Sequence, residues 1–233
     1  MILRSIYISP IWFLRICKYA KKADKYTEKQ RYDMLRNVVL GVNKAGRIKV
    51  NVFGLYNLPK ENGYVMFPNH QGLFDVLMMI ESNENPFTAV LKIEMKDNFF
   101  IKRVVKVLKA KYIDRDDVRQ SIKVINQMTE EVKEGRNYVI FAEGTRSKNG
   151  NNTNDFKGGS FKSATNAKCP IVPVALIDSF KVFDTNSIKK QEVSIYYLEP
   201  ILYEEYKDLK TNEIAEIVRK RIQNKINEIT IDK

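Results

Sequence analysis

The sequence predicts an α/β domain: a mixed, largely parallel sheet flanked by helices, with an N-terminal helical hairpin in front of it. Three observations carry this. From Ile48 onward, short apolar strand-like runs alternate with helical segments, the order that crossover-connected strands leave in a chain. One run, Tyr138 to Phe141, is of the buried type, and another, Ile171 to Ile177, is apolar. The residues before Gly46 carry helical spacing instead, and the clearest shift in composition falls there. With 233 residues, 44% of them hydrophobic, the chain fits one large domain with a small N-terminal extension. The division expected is 1–46 as a two-helix membrane-docking segment and 47–233 as the α/β domain.

The first twenty residues are rich in Ile, Leu, Trp, Phe and Tyr, yet the charge-free stretch runs only from Ser5 to Leu14, between Arg4 and Arg15. That is half of the roughly twenty residues a spanning helix needs. Ser9-Pro10 has the form of an N-cap followed by the first helical position. On a helical wheel Arg4, Arg15, Lys18 and Lys22 share a side, and Trp12, Phe13, Leu14, Ile16 and Cys17 occupy much of the rest. A basic stripe on an aromatic-rich helix suits the bilayer interface; a helix packed on the domain has the same pattern. A cleaved signal fits less well, because Arg15, Lys18, Lys21 and Lys22 follow at once with no small-residue cleavage site. Thr27-Glu28-Lys29-Gln30 forms a capping box that opens a second helix, with Tyr32, Leu35, Val39 and Val42 at helical spacing and Gly46 at its end.

In the main domain, Ile48, Val50 and Val52 alternate with polar residues as in a half-buried strand. Tyr64 to Phe67 is a second strand, Val76 to Ile80 a helix, and Phe87 to Leu91 a third strand. Asp97 to Ala110 is a basic amphipathic helix, Tyr112 to Ile113 a short strand, and Val118 to Glu134 a long helix capped by Asp116 or Asp117 and stopped by Gly135. After the strand at Tyr138 come a polar loop over Asn149 to Asp155, a short helix over Ser160 to Ala167 and the strand Ile171 to Ile177. Val193 to Leu198 gives one more strand, and Asn212 to Ile229 a closing helix.

The formal charge of +12 favours anionic partners: phosphates, acidic proteins or an anionic membrane surface. The basic residues are dispersed and no nucleic-acid motif appears, so no nucleic-acid partner is expected. Cys17 and Cys169 lie far apart and the chain has one histidine, which excludes the usual zinc ligand sets and a disulfide framework. A reducing compartment and no metal are expected.

Two constellations carry chemistry. The first is Asn69-His70-Gln71-Gly72-Leu73-Phe74-Asp75. A histidine titrates near neutrality and can take a proton from a hydroxyl. Five residues on one helix turn through roughly 140° beyond a full circle, so His70 and Asp75 would diverge there. They meet only if His70 precedes the helix and Asp75 lies in its first turns, a break that Pro68 and Gly72 favour. Asp75 then sets the imidazole tautomer and stabilises the imidazolium; a structural His–Asp pair would look the same. The second constellation, Phe141-Ala142-Glu143-Gly144-Thr145-Arg146-Ser147, follows a strand, where open α/β sheets bind ligands. Gly144 allows close backbone approach, Thr145 and Ser147 offer hydroxyls, and Arg146 offers a planar fork suited to phosphate. Glu143 could fix Arg146 or the loop; a polar turn with an exposed arginine would have the same sequence.

In this order the two boxes resemble the NHx4D and F-x-E-G-T-R-S boxes of the glycerolipid acyltransferases, and among them the bacterial 1-acyl-sn-glycerol-3-phosphate (lysophosphatidate) acyltransferases. Two weaker boxes agree: Lys111-Tyr112-Ile113-Asp114-Arg115 and Ile171-Val172-Pro173-Val174-Ala175. The resemblance covers roughly residues 48–177. Gly72 stands where the family often carries Ser, and Ala142 where it often carries Pro. The resemblance implies that His70, steadied by Asp75, deprotonates the free sn-2 hydroxyl of a lysophospholipid, which attacks a thioester donor directly. No G-x-S-x-G elbow suggests an acyl-enzyme. Arg146 and Arg115 would bind the acceptor phosphate, with Glu143, Gly144 and Thr145 shaping the pocket. Lys92, just after the strand Phe87 to Leu91, is placed either as a further phosphate ligand or as a solvated lysine. The oxyanion donors would be backbone N–H groups near Gly72 or Gly144. No cofactor is implied; acyl-CoA or acyl carrier protein is the co-substrate. The place of action would be the cytoplasmic face of the cell membrane, peripheral or monotopic. A sister enzyme acting on glycerol 3-phosphate or another lysophospholipid would share these boxes, and a non-catalytic basic lipid- or nucleic-acid-binding protein would share the charge.

Overall fold

A computed structural model describes residues 9–184 and 189–231. Arg4 and Ser5, the start of the expected N-terminal stretch, lie outside the described residues. Helices α1 (Ser9–Lys21) and α2 (Glu28–Gly46) precede β1 (Ile48–Phe53). Then follow β2 (Val65–Pro68), α3 (Phe74–Ser82), β3 (Phe87–Lys92), α4 (Phe99–Leu108), β4 (Lys111–Ile113), α5 (Val118–Lys133) and β5 (Asn137–Val139). The chain closes with α6 (Lys162–Ala167), β6 (Ile171–Ile177), α7 (Lys181–Asp184), β7 (Gln191–Tyr197), α8 (Tyr203–Tyr206) and α9 (Thr211–Ile231).

The strands form one sheet in the order β1-β7-β6-β2-β5-β3-β4. All neighbours are parallel except β6 and β7. The expected mixed, largely parallel sheet is therefore present, and β2 lies near its centre. Both faces are covered. In β2, Met66 joins the core with α2, α3 and α4, while Val65 and Phe67 join the core with α5, α6 and α9. The same alternation in β6 sends Val172, Val174 and Leu176 one way and Ile171, Ala175 and Ile177 the other. That double burial is why β6 lacks polar alternation.

Local signals hold at several ends. Thr27 and Gln30 make the capping box, Gln30 N donating to Thr27 Oγ1 at 3.2 Å and Thr27 N to Gln30 Oε1 at 2.9 Å. Asp117 caps α5. Others shift. The helix expected from Asp97 starts at Phe99, because the Asn98 side chain accepts from Phe100 N and Ile101 N, and it ends where Lys109 turns left-handed. Arg47, not Gly46, takes the left-handed position after α2, at φ 56°. The short helices α7 and α8 carry too few residues for a periodic signal.

The boundary expected at residue 46 is not a boundary in the packing. Tyr32, Met34, Leu35, Val38 and Val39 of α2 share one core with Tyr64, Met66 and Phe87. Tyr32 donates to Asn83 O at 3.0 Å and Arg31 Nε to Val107 O at 2.8 Å. Helix α1 is more peripheral. It lies along α2 and α4, with Trp12 against Gly41, where a Cβ would come within 2.5 Å of the indole, and Phe13 stacked on Phe99 at 5.6 Å. No helix of the described residues is long and apolar enough to cross a membrane.

Candidate active site

The parallel strands β2, β5, β3 and β4 end at one edge of the sheet, and each is followed by a residue singled out above. His70 follows β2, residues 143–146 follow β5, Lys92 closes β3 and Arg115 follows β4. Spatial order along the edge is thus set by strand order, at about 4.8 Å per strand.

The chain leaves the sheet at Pro68 and enters α3 at Phe74, so His70 sits in the loop and Asp75 in the first turn of the helix. His70 Nδ1 lies 2.7 Å from Asp75 Oδ2. The same oxygen accepts Gln71 N at 2.7 Å and Gly72 N at 3.0 Å. Oδ1 accepts the Ser179 hydroxyl. Asp75 is fully buried, and this set of donors is what an isolated carboxylate needs in that environment. The imidazole keeps 22% exposure. With Nδ1–H given to Asp75, Nε2 is left as the proton acceptor.

The His70 loop is tied on every side. Asn69 pairs twice with the Leu176 backbone of β6, Nδ2 to O at 3.0 Å and Oδ1 from N at 2.7 Å. His70 N donates to Glu143 Oε1 at 2.7 Å, and Ser147 N donates to His70 O at 2.8 Å. The Phe141 ring lies 4.3 Å from the imidazole, centroid to centroid. Gln71 reaches two further loops: its Nε2 donates to Asn151 Oδ1 at 2.8 Å, and its Oε1 accepts Ser179 N at 3.0 Å.

Of the roles open to Glu143, fixing the loop is the one its contacts support, and phosphate binding is not. Its second oxygen accepts Asn154 N at 3.0 Å, so both oxygens are spent on backbone N–H groups and the carboxylate is buried. Burial pushes its pKa above the ordinary glutamate range, against the pull of those two N–H groups. Glu143 braces the His70 loop; it does not bind phosphate. The expected oxyanion donors are narrowed as well. Gly72 N is given to Asp75, and Gly144 N to Phe141 O at 3.1 Å, so neither is free for a substrate oxygen.

Of the other expected phosphate residues, Arg115 and Gly144 are brought into contact. Arg115 Nη1 donates to Gly144 O at 2.8 Å. Gly144 has φ 76°, and a Cβ there would stand 2.5 Å from that nitrogen, so only glycine permits both the turn and the guanidinium above it. Thr145 is exposed and Arg146 half-buried. Lys92 is half-buried at the end of β3. Among the described residues neither Arg146 nor Lys92 has an ion-pair partner.

Asn69, Gln71, Asn151 and Ser179 were not foreseen as site residues. For Ser179 a signal existed: it lies two residues beyond β6, a strand parallel to β2, so it falls at the same edge. The pairing of Gln71 with Asn151 depends on two loops meeting and leaves no trace in sequence.

Residues 49–177 match a family model described as Acyltransferase. The chain is 30% identical over 181 residues to a probable 1-acyl-sn-glycerol-3-phosphate acyltransferase of Mycoplasma genitalium, covering 72% of this chain and 66% of the relative. It is 28% identical over 186 residues to a 1-acyl-sn-glycerol-3-phosphate acyltransferase of Borreliella burgdorferi, covering 79% and 74%. It thus spans about two thirds to three quarters of the length of these relatives. In fold it is similar to the crystal structure of the 1-acyl-sn-glycerophosphate acyltransferase PlsC from Thermotoga maritima, with a TM-score of 0.71 and 19% identity, over 95% of this chain and 93% of that one.

Proposed function

The chain belongs to the acyltransferase family, and on that premise we propose that it transfers a fatty acyl group from a thioester donor to the sn-2 hydroxyl of 1-acyl-sn-glycerol 3-phosphate, making phosphatidic acid. The observation that carries this is the 2.7 Å His70–Asp75 contact at a sheet edge that also presents Arg146, Arg115 and Lys92. A glycerol phosphate carries its reactive hydroxyl and its phosphate on neighbouring carbons. The base and the first of the cations follow neighbouring strands, about 4.8 Å apart.

His70 Nε2 takes the proton of the hydroxyl while Asp75 Oδ2 holds Nδ1–H and stabilises the imidazolium. The freed oxygen attacks the thioester carbonyl. The tetrahedral species collapses, the C–S bond breaks, and the leaving thiolate takes the proton back from Nε2. Arg146, Arg115 and Lys92 bind the acceptor phosphate, and Glu143 keeps the base in place. The donor is acyl-CoA or acyl carrier protein.

The enzyme works at an anionic membrane surface, on its cytoplasmic face. Ile11 and Leu14 of α1 and Phe99 and Phe100 of α4 are 60%, 66%, 63% and 50% exposed, and ring contacts join the two helices. Arg103 stacks on Phe99 at 3.5 Å, with Lys102 and Lys106 beside it. Apolar side chains rimmed by cations suit a bilayer interface. Because α2 belongs to the core, α1 and the start of α4 form the docking face, not the whole of 1–46.

The test compares wild type with His70→Ala for acyl transfer to lysophosphatidate, with glycerol 3-phosphate as a second acceptor. Loss of transfer by roughly a thousandfold or more is expected on removal of the general base. Equal rates would sink the assignment of His70, and preference for glycerol 3-phosphate would move the enzyme to the sister reaction.

A further inference from the structure

We propose that Ser179 is a positioning residue for the His70–Asp75 pair, which makes the turn after β6 part of the catalytic apparatus. Ser179 is fully buried and two residues beyond β6. Its hydroxyl has one proton and two acceptors in reach, Asp75 Oδ1 and Gln71 Oε1 at 2.9 Å. Gln71 Oε1 already receives Ser179 N–H at 3.0 Å, and a carboxylate is the stronger acceptor. The hydroxyl proton therefore goes to Asp75.

Three donors hold Asp75 Oδ2: His70 Nδ1, Gln71 N and Gly72 N. Among the described residues, Ser179 Oγ is the donor that reaches Oδ1. With both oxygens pegged, the carboxylate cannot turn about its Cβ–Cγ bond, and Oδ2 stays in line with the imidazole. Without the hydroxyl, Oδ1 is a buried acceptor with no donor, which favours rotation of the group. His70 Nδ1–H then loses its acceptor. The ring shifts toward the Nε2–H tautomer, which cannot accept the substrate proton. The turn is also fixed from outside: Asp178 N donates to Asn151 Oδ1 at 2.8 Å, and Asn151 to Asp178 Oδ1 at 3.0 Å. Asn151 in turn accepts from Gln71, which closes a ring of side chains behind the base.

The rate arm of the test rests on the acyl-transfer reading; a spectroscopic arm does not. His70 is the only histidine, so the 15N imidazole spectrum reports its tautomer without ambiguity and without substrate. Wild type is expected to hold the neutral proton on Nδ1. In Ser179→Ala that population falls, kcat drops roughly ten- to a hundredfold, and KM stays within about twofold. Ser179→Thr and Ser179→Val have nearly the same shape and differ by the hydroxyl, so Thr should restore both tautomer and rate relative to Val. An Ala variant with the wild-type tautomer and kcat overturns the proposal. So does a Thr variant no better than Val in both readouts. If wild type itself transfers no acyl group to lysophosphatidate, the functional reading fails while the tautomer arm still decides the role of Ser179.

Discussion

Replacing Glu143 with Gln separates two roles for that residue. Its carboxylate accepts His70 N at 2.7 Å on one oxygen and Asn154 N at 3.0 Å on the other. An amide has one acceptor and one donor, so one of those backbone N–H groups must face an NH2. The variant keeps the shape and loses one charge-assisted bond, and an unsatisfied buried N–H costs about 1–3 kcal/mol. If that cost falls on the loop that holds His70, the productive geometry is depopulated about five- to a hundredfold. The expected result is a fall in kcat of that size, with KM for lysophosphatidate nearly unchanged. Steady-state assays at about pH 8, above the carboxylate range, measure both. A glutamate facing the acceptor phosphate would repel it, so its neutralisation would lower KM and spare kcat. That second pattern would refute the bracing argument.

Two further substitutions test the frame around the site. Glu131 of α5 accepts from Lys111 at 2.6 Å, Arg136 at 2.5 Å and Tyr138 at 2.5 Å. Burial pushes its pKa up, but those bonds outweigh burial and hold it below the ordinary glutamate range. Its stabilisation is therefore present above about pH 4.5 and lost as pH falls through the lowered folded value. Glu131→Gln should cost about 2 kcal/mol at neutral pH, or about 4 °C in Tm for a chain of this size. The variant should also lose less stability than wild type between neutral pH and about pH 3.5; equal acid sensitivity in thermal melts would contradict this. At the membrane face, Leu14→Glu with Phe99→Glu removes two side chains that lie outside the core. At about 1.5 kcal/mol each, sedimentation with anionic vesicles should weaken roughly a hundredfold, and unchanged sedimentation would rule the face out.

The sequence by itself determined the sheet class, most helix and strand positions and the meeting of His70 with Asp75. Each rests on local rules: apolar periodicity, a capping box at Thr27, and a five-residue separation that places His70 before the helix and Asp75 inside it. Local rules failed where a side chain's partner is remote in sequence. Glu143 carries the charge and position of a pocket residue, and only the approach of the His70 loop, 73 residues away, turns it into a brace. Helix α2 has the amphipathic pattern of a docking helix, and its burial against Tyr64, Met66 and Phe87 makes it core. The partner of Asp75 Oδ1 lies 104 residues on. A carboxylate's orientation is fixed by whatever donors surround it in space, so the pairing of His70 with Asp75 was legible in the chain, and the means of holding it was decided by the ends of β2, β5 and β6 meeting along one edge.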